Sequence, residues 1–281
     1  MTFSIVARSG DGELFGVAVA SRFLAVGAVV PAAEAGVGAV ATQAYANTAY
    51  GRQAVSLMRT GASASDAVAG LVAADPLRRQ RQVGVVAAWG DGALYTGEGC
   101  PDWAGGRTGP GFAIQGNVLA GPHVVDRMSR RWQYGESLPF VQRLLETLRA
   151  GDEAGGDRRG RQSAALYVVG VGRGYLGTGD VVVDLRVDDH EAPVEELERL
   201  AGLHRVYFEP PVAEDALPLV GEVADEVRGL LGRLGYTGEE ETPVEEVMLD
   251  WAGMANLEMR MLPGRIDPVV LERLRLEVDG A

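Results

Sequence analysis

The chain reads as an α+β protein in which sheets are sandwiched between helical layers over residues 1–208, followed by a small all-α domain over residues 209–281. Three features predict this. Strand-like and helix-like segments come in groups, in the order strands, two helices, strands, two helices, strands, helix, and such grouping argues against a doubly wound parallel sheet. The first fifty residues hold valine, alanine and isoleucine runs that are apolar on both faces, as a sheet covered on both sides requires, although buried helix suits such runs as well. The charge is uneven: of a net −13 over 281 residues, the part from Glu209 onward carries 17 acids against 6 arginines, net −11, leaving −2 for residues 1–208. Glu209-Pro210-Pro211, with Pro218 soon after, terminates regular structure at that change of composition and marks the linker.

Taken in order, Thr2 to Arg8 and Glu13 to Ser21 read as strands joined through Ser9-Gly10-Asp11-Gly12, where Asp-Gly is a strong hairpin signal. With Asp11 and Gly12 at the turn centre, paired residue numbers sum to about 23, which brings the chain start beside Ser21 and Arg22. Ala25 to Pro31 and Gly36 to Thr42 extend the sheet. Helical spacing covers Arg52 to Thr60 and then Ser65 to Ala74, with Ser63 or Ser65 as N-cap and Asp75-Pro76 as a stop. Strands follow at Gln82 to Ala88, Ala93 to Gly97 and Gly111 to Gly116, then helices at Val124 to Gln133 and Leu138 to Arg149. After a loop rich in glycine and charge come strands at Ala164 to Gly170 and Asp180 to Val187, and a helix from Pro193 to Leu203. The tail reads as three helices, Val220 to Leu234, Pro243 to Arg260 and Pro268 to Leu276.

Composition excludes several classes of chemistry. All 26 cations are arginines, so Schiff-base, pyridoxal-phosphate and phosphate-loop lysine mechanisms are absent. Cys100 stands alone, which excludes an intramolecular disulfide and a multi-cysteine metal site, and His123, His190 and His204 lack close ligand spacing. No cofactor and no metal are expected. The negative net charge disfavours nucleic acid, and no stretch of eighteen apolar residues or signal-like start is present, so the expectation is a cytoplasmic protein that does not engage a membrane.

The chain start carries the most informative chemistry. Methionine aminopeptidases remove Met1 efficiently ahead of a small residue, so Thr2 becomes a new amino terminus with its amine and hydroxyl on one residue. A threonine hydroxyl is a weak nucleophile until a neighbouring amine takes its proton, the threonine plus N-terminal amine arrangement. Met-Thr opening an ordinary strand is the alternative. Arg22 supplies field or grips a substrate carboxylate with its fork, or simply faces solvent at a strand end. Gln115-Gly116-Asn117 ends a strand ahead of a helix near Gly121-Pro122, and the Asn117 side chain there suits a developing oxyanion or an Asx turn. Thr42, Gln43 and Asn47 offer neutral donors and acceptors for an amide, with turn chemistry explaining Asn47 equally well. Gly155 to Gly160 with Arg158, Arg159 and Arg161 reads as an anion-binding segment or a solvated loop. Asp188-Asp189-His190 is read as a strand end that caps the next helix rather than a metal or acid–base cluster, and Cys100 is assigned no role.

Six separated motifs carry a family resemblance: Met1-Thr2-Phe3-Ser4-Ile5-Val6-Ala7-Arg8, Gly16 to Arg22, Gly36 to Asn47, Gln115-Gly116-Asn117, Gly155 to Ala164, and Arg186 to His190. They resemble the bacterial family known as domain of unknown function 1028, over roughly residues 1–205. That family is similar in fold to the N-terminal-nucleophile (Ntn) hydrolases, among them the proteasome β subunits, and the resemblance implies a four-layer αββα sandwich. The tail resembles a peptidoglycan-binding-like helical module. Proteasome β subunits place a lysine beside the catalytic threonine, which this chain lacks, and arginine does not serve as a base near neutrality. The Thr2 amine is then the only base that the chain start supplies. The resulting expectation is an Ntn-type amide hydrolase with Thr2 and Asn117 as catalytic groups, and Ser21, Arg22, Thr42, Gln43, Asn47, Asp157 and Arg161 as contacts to a small, polar, carboxylate-bearing amide. The alternative is an inactive sandwich whose acidic tail docks a glycan or protein partner. Assembly as a homo-oligomer is also expected.

Overall fold

The computed structural model describes residues 2–239 and 242–280; the expected loss of Met1 lies outside the described residues. The chain divides into two units, one reaching Leu200 and one beginning at Ala201. In the first unit β1 (Thr2–Arg8) and β2 (Leu14–Ser21) form the expected hairpin. Phe3 pairs with Ala20 and Arg8 with Phe15, so the register is the one a turn centred on Asp11-Gly12 dictates. After these come β3 (Pro31–Glu34), β4 (Gly38–Ala44), α1 (Ala49–Arg59), α2 (Ala64–Ala74), β5 (Arg81–Ala87), β6 (Ala93–Thr96), β7 (Gly105–Gly109) and β8 (Phe112–Asn117). The unit continues with α3 (Pro122–Tyr134), α4 (Phe140–Glu153), β9 (Ser163–Gly170) and β10 (Val181–Val187), and α5 (Pro193–Phe208) runs across the division.

Among the described residues the strands of this unit form two antiparallel sheets, ordered β10-β9-β2-β1-β8-β7 and β3-β4-β5-β6. The sheets stack face to face: β1 contacts β4 and β5, and β2 contacts β3 and β4. Helices α1 and α2 cover the smaller sheet, and α3 and α4 cover the larger, which makes four layers, αββα. Strand alternation sorts the side chains. Val6, Phe15, Val17, Val19, Ala39, Ala41, Val86 and Ala113 fill the space between the sheets, while Val40, Val83 and Val85 point outward onto Tyr50, Ala54 and Leu71.

Several expectations need correction here: the Gly36 to Thr42 run does not extend the sheet of the hairpin but becomes β4 of the second sheet. The Ala25 to Pro31 run is not a strand: Val26–Ala28 is a 3-10 turn entered through a left-handed Ala25, and Val26 and Val30 still bury their side chains between the sheets. Its apolarity reflects a buried turn, which periodicity alone does not separate from a strand. Strand β7 was not anticipated, because Gly105, Gly106 and Gly109 carry no strand signal; Gly106 leaves space where a Cβ would stand 2.3 Å from the Ile114 carbonyl oxygen. In the tail, the expected helix to Arg260 stops at Met254, and Asn256 takes a left-handed conformation just beyond.

The second unit holds β11 (Leu217–Pro218), α6 (Gly221–Arg233), α7 (Val244–Met254), β12 (Arg265–Ile266) and α8 (Pro268–Gly280). The helices pack around Val227, Leu231, Met248, Trp251, Val270 and Leu274, with a two-residue ladder joining β11 to β12. The last turns of α5 belong to this core through Val206 and Tyr207, which is why the division falls inside α5 rather than at Glu209-Pro210-Pro211. Arg260 and Asp267 form a buried ion pair at 2.7 Å, and Arg260 Nη1 also donates to the carbonyls of Arg205 and Glu209, so the pair is supported by further hydrogen bonds. No described helix is long and apolar enough to cross a membrane.

Candidate active site

At one end of the layer between the sheets the inward positions turn polar. In β1 they are Thr2 and Ser4, in β2 Ser21, in β4 Gln43, in β5 Gln82 and in β8 Gln115 and Asn117, all buried. These residues continue the same alternation that places Val6, Val19, Ala41, Val86 and Ala113 inside. The great majority of buried polar groups are hydrogen-bonded, and here they bond largely to one another.

Gln115 Nε2 donates to Ser4 Oγ at 2.7 Å, Ser4 Oγ donates to Gln43 Oε1 at 2.7 Å, and Gln43 Nε2 donates to Gln82 Oε1 at 2.8 Å and to the Thr2 carbonyl at 3.3 Å. Gln82 Oε1 also accepts from Asn117 Nδ2 at 3.0 Å, while Gln82 Nε2 donates to Thr96 Oγ1 and to the Gly116 carbonyl. Gln115 Oε1 has no partner among the described residues. It lies against Gly84, where a Cβ would come within 2.1 Å of it, so only glycine fits there.

Thr2 stands at the head of this network. Its Oγ1 is 3.1 Å from Ser21 Oγ, and it is paired with Asn117 across the β1–β8 ladder. The Asn117 amide is turned inward onto Gln82, with one of its two N–H groups used there. Two clefts border Asn117 and Ser21, the neighbours of Thr2. One of about 370 Å³ is lined by Asn117, Ala44, Tyr45, Pro101, Val118 and Arg159. Ala44 and Val118, the residues following Gln43 and the strand β8, both have φ in the left-handed region, at 68° and 52°. For a β-branched residue such as Val118 this costs on the order of 1–3 kcal/mol, which the surrounding bonds to Pro101 and Arg158 hold in place.

The other cleft, about 590 Å³, opens beside Ser21 and Arg22 and is walled by the 155–160 loop. That loop is joined to the connection after β8 by backbone bonds, Ala120 to Gly156 and Arg158 to Val118. Asp157 is its keystone: buried, it accepts the Arg22 backbone N–H at 2.8 Å and the Arg159 backbone N–H at 2.9 Å, and Arg159 Nη2 at 3.1 Å. Arg161 is held by both oxygens of Asp152 at 2.9 and 3.0 Å, which raises its pKa further above the usual range.

The fold therefore gathers Thr2, Ser21, Arg22, Gln43, Asn117, Asp157 and Arg161 around one end of the sandwich. Thr42 and Asn47 are not part of that group. Thr42 shares the outward face of Val40, and its hydroxyl donates to the Asn47 carbonyl at 3.2 Å. Asn47 Oδ1 accepts from the Ala49 N–H at the start of α1, the turn role. On that side Asp75 accepts from Arg81 Nε and the Tyr50 hydroxyl, both at 2.9 Å, and from the Leu77 N–H at 2.8 Å. The Arg81 bond foremost brings the Asp75 pKa down to about 2, against the opposing effect of burial. A depressed carboxylate stabilises the fold above its unfolded value and loses that contribution as pH falls through the folded one. Asp75→Asn is expected to cost about 2 kcal/mol at neutral pH. In urea titrations the gap from the parent should close between about pH 4 and pH 2.

Of the remaining candidates, His190 Nδ1 accepts from the Ala192 N–H ahead of α5, in keeping with a capping role. Burial pushes the Cys100 thiol up, and its Sγ lies 3.3 Å from the Arg81 carbonyl. No group of three His, Cys, Asp or Glu able to hold a metal occurs among the described residues. Sequence reading overlooked Gln82 and Ser4. The available signal was a polar residue at an inward position of an apolar alternation, as in Gln82-Val83-Gly84-Val85-Val86.

Residues 2–197 match the model of the "Family of unknown function (DUF1028)". The chain belongs to the DUF1028 family. A crystal structure from the same family, protein SPO2555 from Silicibacter pomeroyi, is similar at 29% identity and a TM-score of 0.65, covering 80% of this chain and 92% of that one. Residues 207–274 match a second model, "Putative peptidoglycan binding domain". Among curated proteins no relative matches the chain. The polar end of the sandwich, from Thr2 to the loop around Asp157, lies wholly within the DUF1028 match.

Proposed function

We propose that this DUF1028 protein is an amide-bond hydrolase of the N-terminal-nucleophile type, with Thr2 as the nucleophile once Met1 is removed. The observation that carries the reading is the position of Thr2: first residue of a central strand, with its hydroxyl on the inner face of an αββα sandwich and beside Asn117 and Ser21. Thr2 Oγ1 attacks the amide carbonyl carbon as the Thr2 amine takes the hydroxyl proton, usually through a water. The second Asn117 N–H donates to the oxyanion. The protonated amine then gives its proton to the departing nitrogen, the C–N bond breaks, and an ester on Thr2 remains. Water, deprotonated by the same amine, cleaves the ester and restores the hydroxyl. With no lysine in the chain and Arg22 permanently charged, the amine is the base.

The test is a panel of acylated amino acids, lactams and short peptides offered to protein whose intact mass shows Met1 absent. Turnover is expected there and is expected to vanish in a preparation carrying one uncleaved residue ahead of Thr2. Equal turnover in both preparations would remove the mechanism.

The second family match favours one further reading, in which the C-terminal helical unit docks cell-wall glycan. Under that reading the sandwich is a catalytically inactive binding protein, and blocked and unblocked chains bind glycan alike while neither hydrolyses the panel.

A further inference from the structure

The cleft beside Ser21 is lined by three arginines, Arg22, Arg158 and Arg161, and three acids, Asp152, Asp157 and Glu191, and they are not all paired with one another. Four arginines stand on or next to it. Arg159 is tied to Asp157 and Arg161 to Asp152. Arg22 and Arg158 line the same cleft and have no acidic partner within ion-pair distance among the described residues. Surface arginines are common, but these two are set in place from the backbone. The Arg22 N–H is fixed by the buried Asp157 carboxylate, and the Arg158 N–H by the Val118 carbonyl. The Arg22 guanidinium lies over Gly160, where a Cβ would stand 3.3 Å from its Nη1. Gly160 also has φ +105°, so both the backbone conformation and the space above it call for glycine.

The place of these arginines relative to the nucleophile limits what they bind. Ser21, whose Oγ is 3.1 Å from Thr2 Oγ1, lines the cleft immediately ahead of Arg22 in the chain. Two guanidinium forks without an acidic partner among the described residues, in the cleft that Ser21 also lines, match a planar anion with two oxygens. Glu191 is an acid of the same lining with no basic partner among the described residues, so the cleft suits a ligand with a single carboxylate and an N–H donor nearby. We propose that Arg22 and Arg158 bind the free carboxylate of the substrate, which makes the substrate an acylated amino acid or short peptide rather than a neutral amide. This rests on the Thr2 reading for the fate of the ligand but not for its binding.

The experiment is calorimetric titration of the Thr2→Ala protein with N-acetyl amino acids, each offered as the free acid and as its neutral carboxamide. At least one free acid is expected to bind ten or more times more tightly than its carboxamide, with an advantage that shrinks as salt is raised. Arg22→Ala and Arg158→Ala should each remove that advantage while leaving the weak carboxamide affinity in place. Arg22→Gln, which keeps the stem over Gly160, should behave as Arg22→Ala does, separating lost charge from lost packing. Equal binding of acids and carboxamides, unchanged affinity in the arginine variants, or no binding by any acid would overturn the proposal. Hydrolysis of the panel by the Thr2→Ala protein would instead overturn the nucleophile and leave the carboxylate site standing.

Discussion

Thr2→Ala is expected to lower kcat by about 10⁴-fold or more while the melting temperature moves by no more than a few degrees. Alanine is also small enough for Met1 to be removed, so the amine remains and only the hydroxyl is lost. The fold should tolerate this. The 3.1 Å bond to Ser21 that is lost is worth on the order of 1 kcal/mol, and the Thr2 carbonyl keeps its bond from Gln43. Thr2→Ser restores a hydroxyl in the same place and should recover a measurable part of the rate. Steady-state turnover and thermal unfolding on the same preparations decide the matter. An alanine variant as active as the parent would show that Thr2 is merely the first residue of a strand.

Asn117→Ala is the second large effect, a loss of about 10² to 10³ in kcat with little change in KM, because an oxyanion donor acts mainly in the transition state. Two facts about its surroundings sharpen the expectation. Gln82 Oε1 accepts from both Asn117 and Gln43, so it keeps a partner after the substitution, and the stability cost should stay near 1 kcal/mol. The Asn117 side chain bonds across to the other sheet, so the deletion leaves the connection to α3 with its own backbone bonds, those of Val118, Leu119 and Ala120. Full activity with reduced stability would mark Asn117 as a strut between the sheets. A rise in KM alone would make it a contact to substrate.

Arg22 and Arg161 show how differently two residues of one sequence motif family can be used. Both are exposed arginines beside a glycine-rich loop, and their types alone do not distinguish them. Arg161 proves to be neutralised by Asp152, nine residues before it, whereas Arg22 has its backbone held by Asp157, 135 residues away, and its guanidinium has no acidic partner among the described residues. Gln82 and Asn117 make the same point for the interior. Each is a strand residue in an apolar stretch, and only their convergence on a shared hydrogen bond from opposite sheets gives them a common role.

The grouping of strands and helices, the hairpin that brings residue 2 back to residue 21 and the polar-to-apolar parity of each strand are local properties, set by side-chain period and by turn residues adjacent in the chain, and they could be read directly. So could the absence of lysine, which restricts the choice of base whatever the fold. The buried turn at Val26–Ala28, the glycine strand β7, the separation of Thr42 from Thr2 and the pairing of Asp157 with the Arg22 backbone had no such signature. Each depends on which surface arrives from elsewhere in the chain: burial makes an apolar turn resemble a strand, and a neighbouring sheet decides whether a carboxylate or a guanidinium is left without its counter-charge. Those are long-range matters of packing and electrostatics, and they are settled only when the layers close on one another.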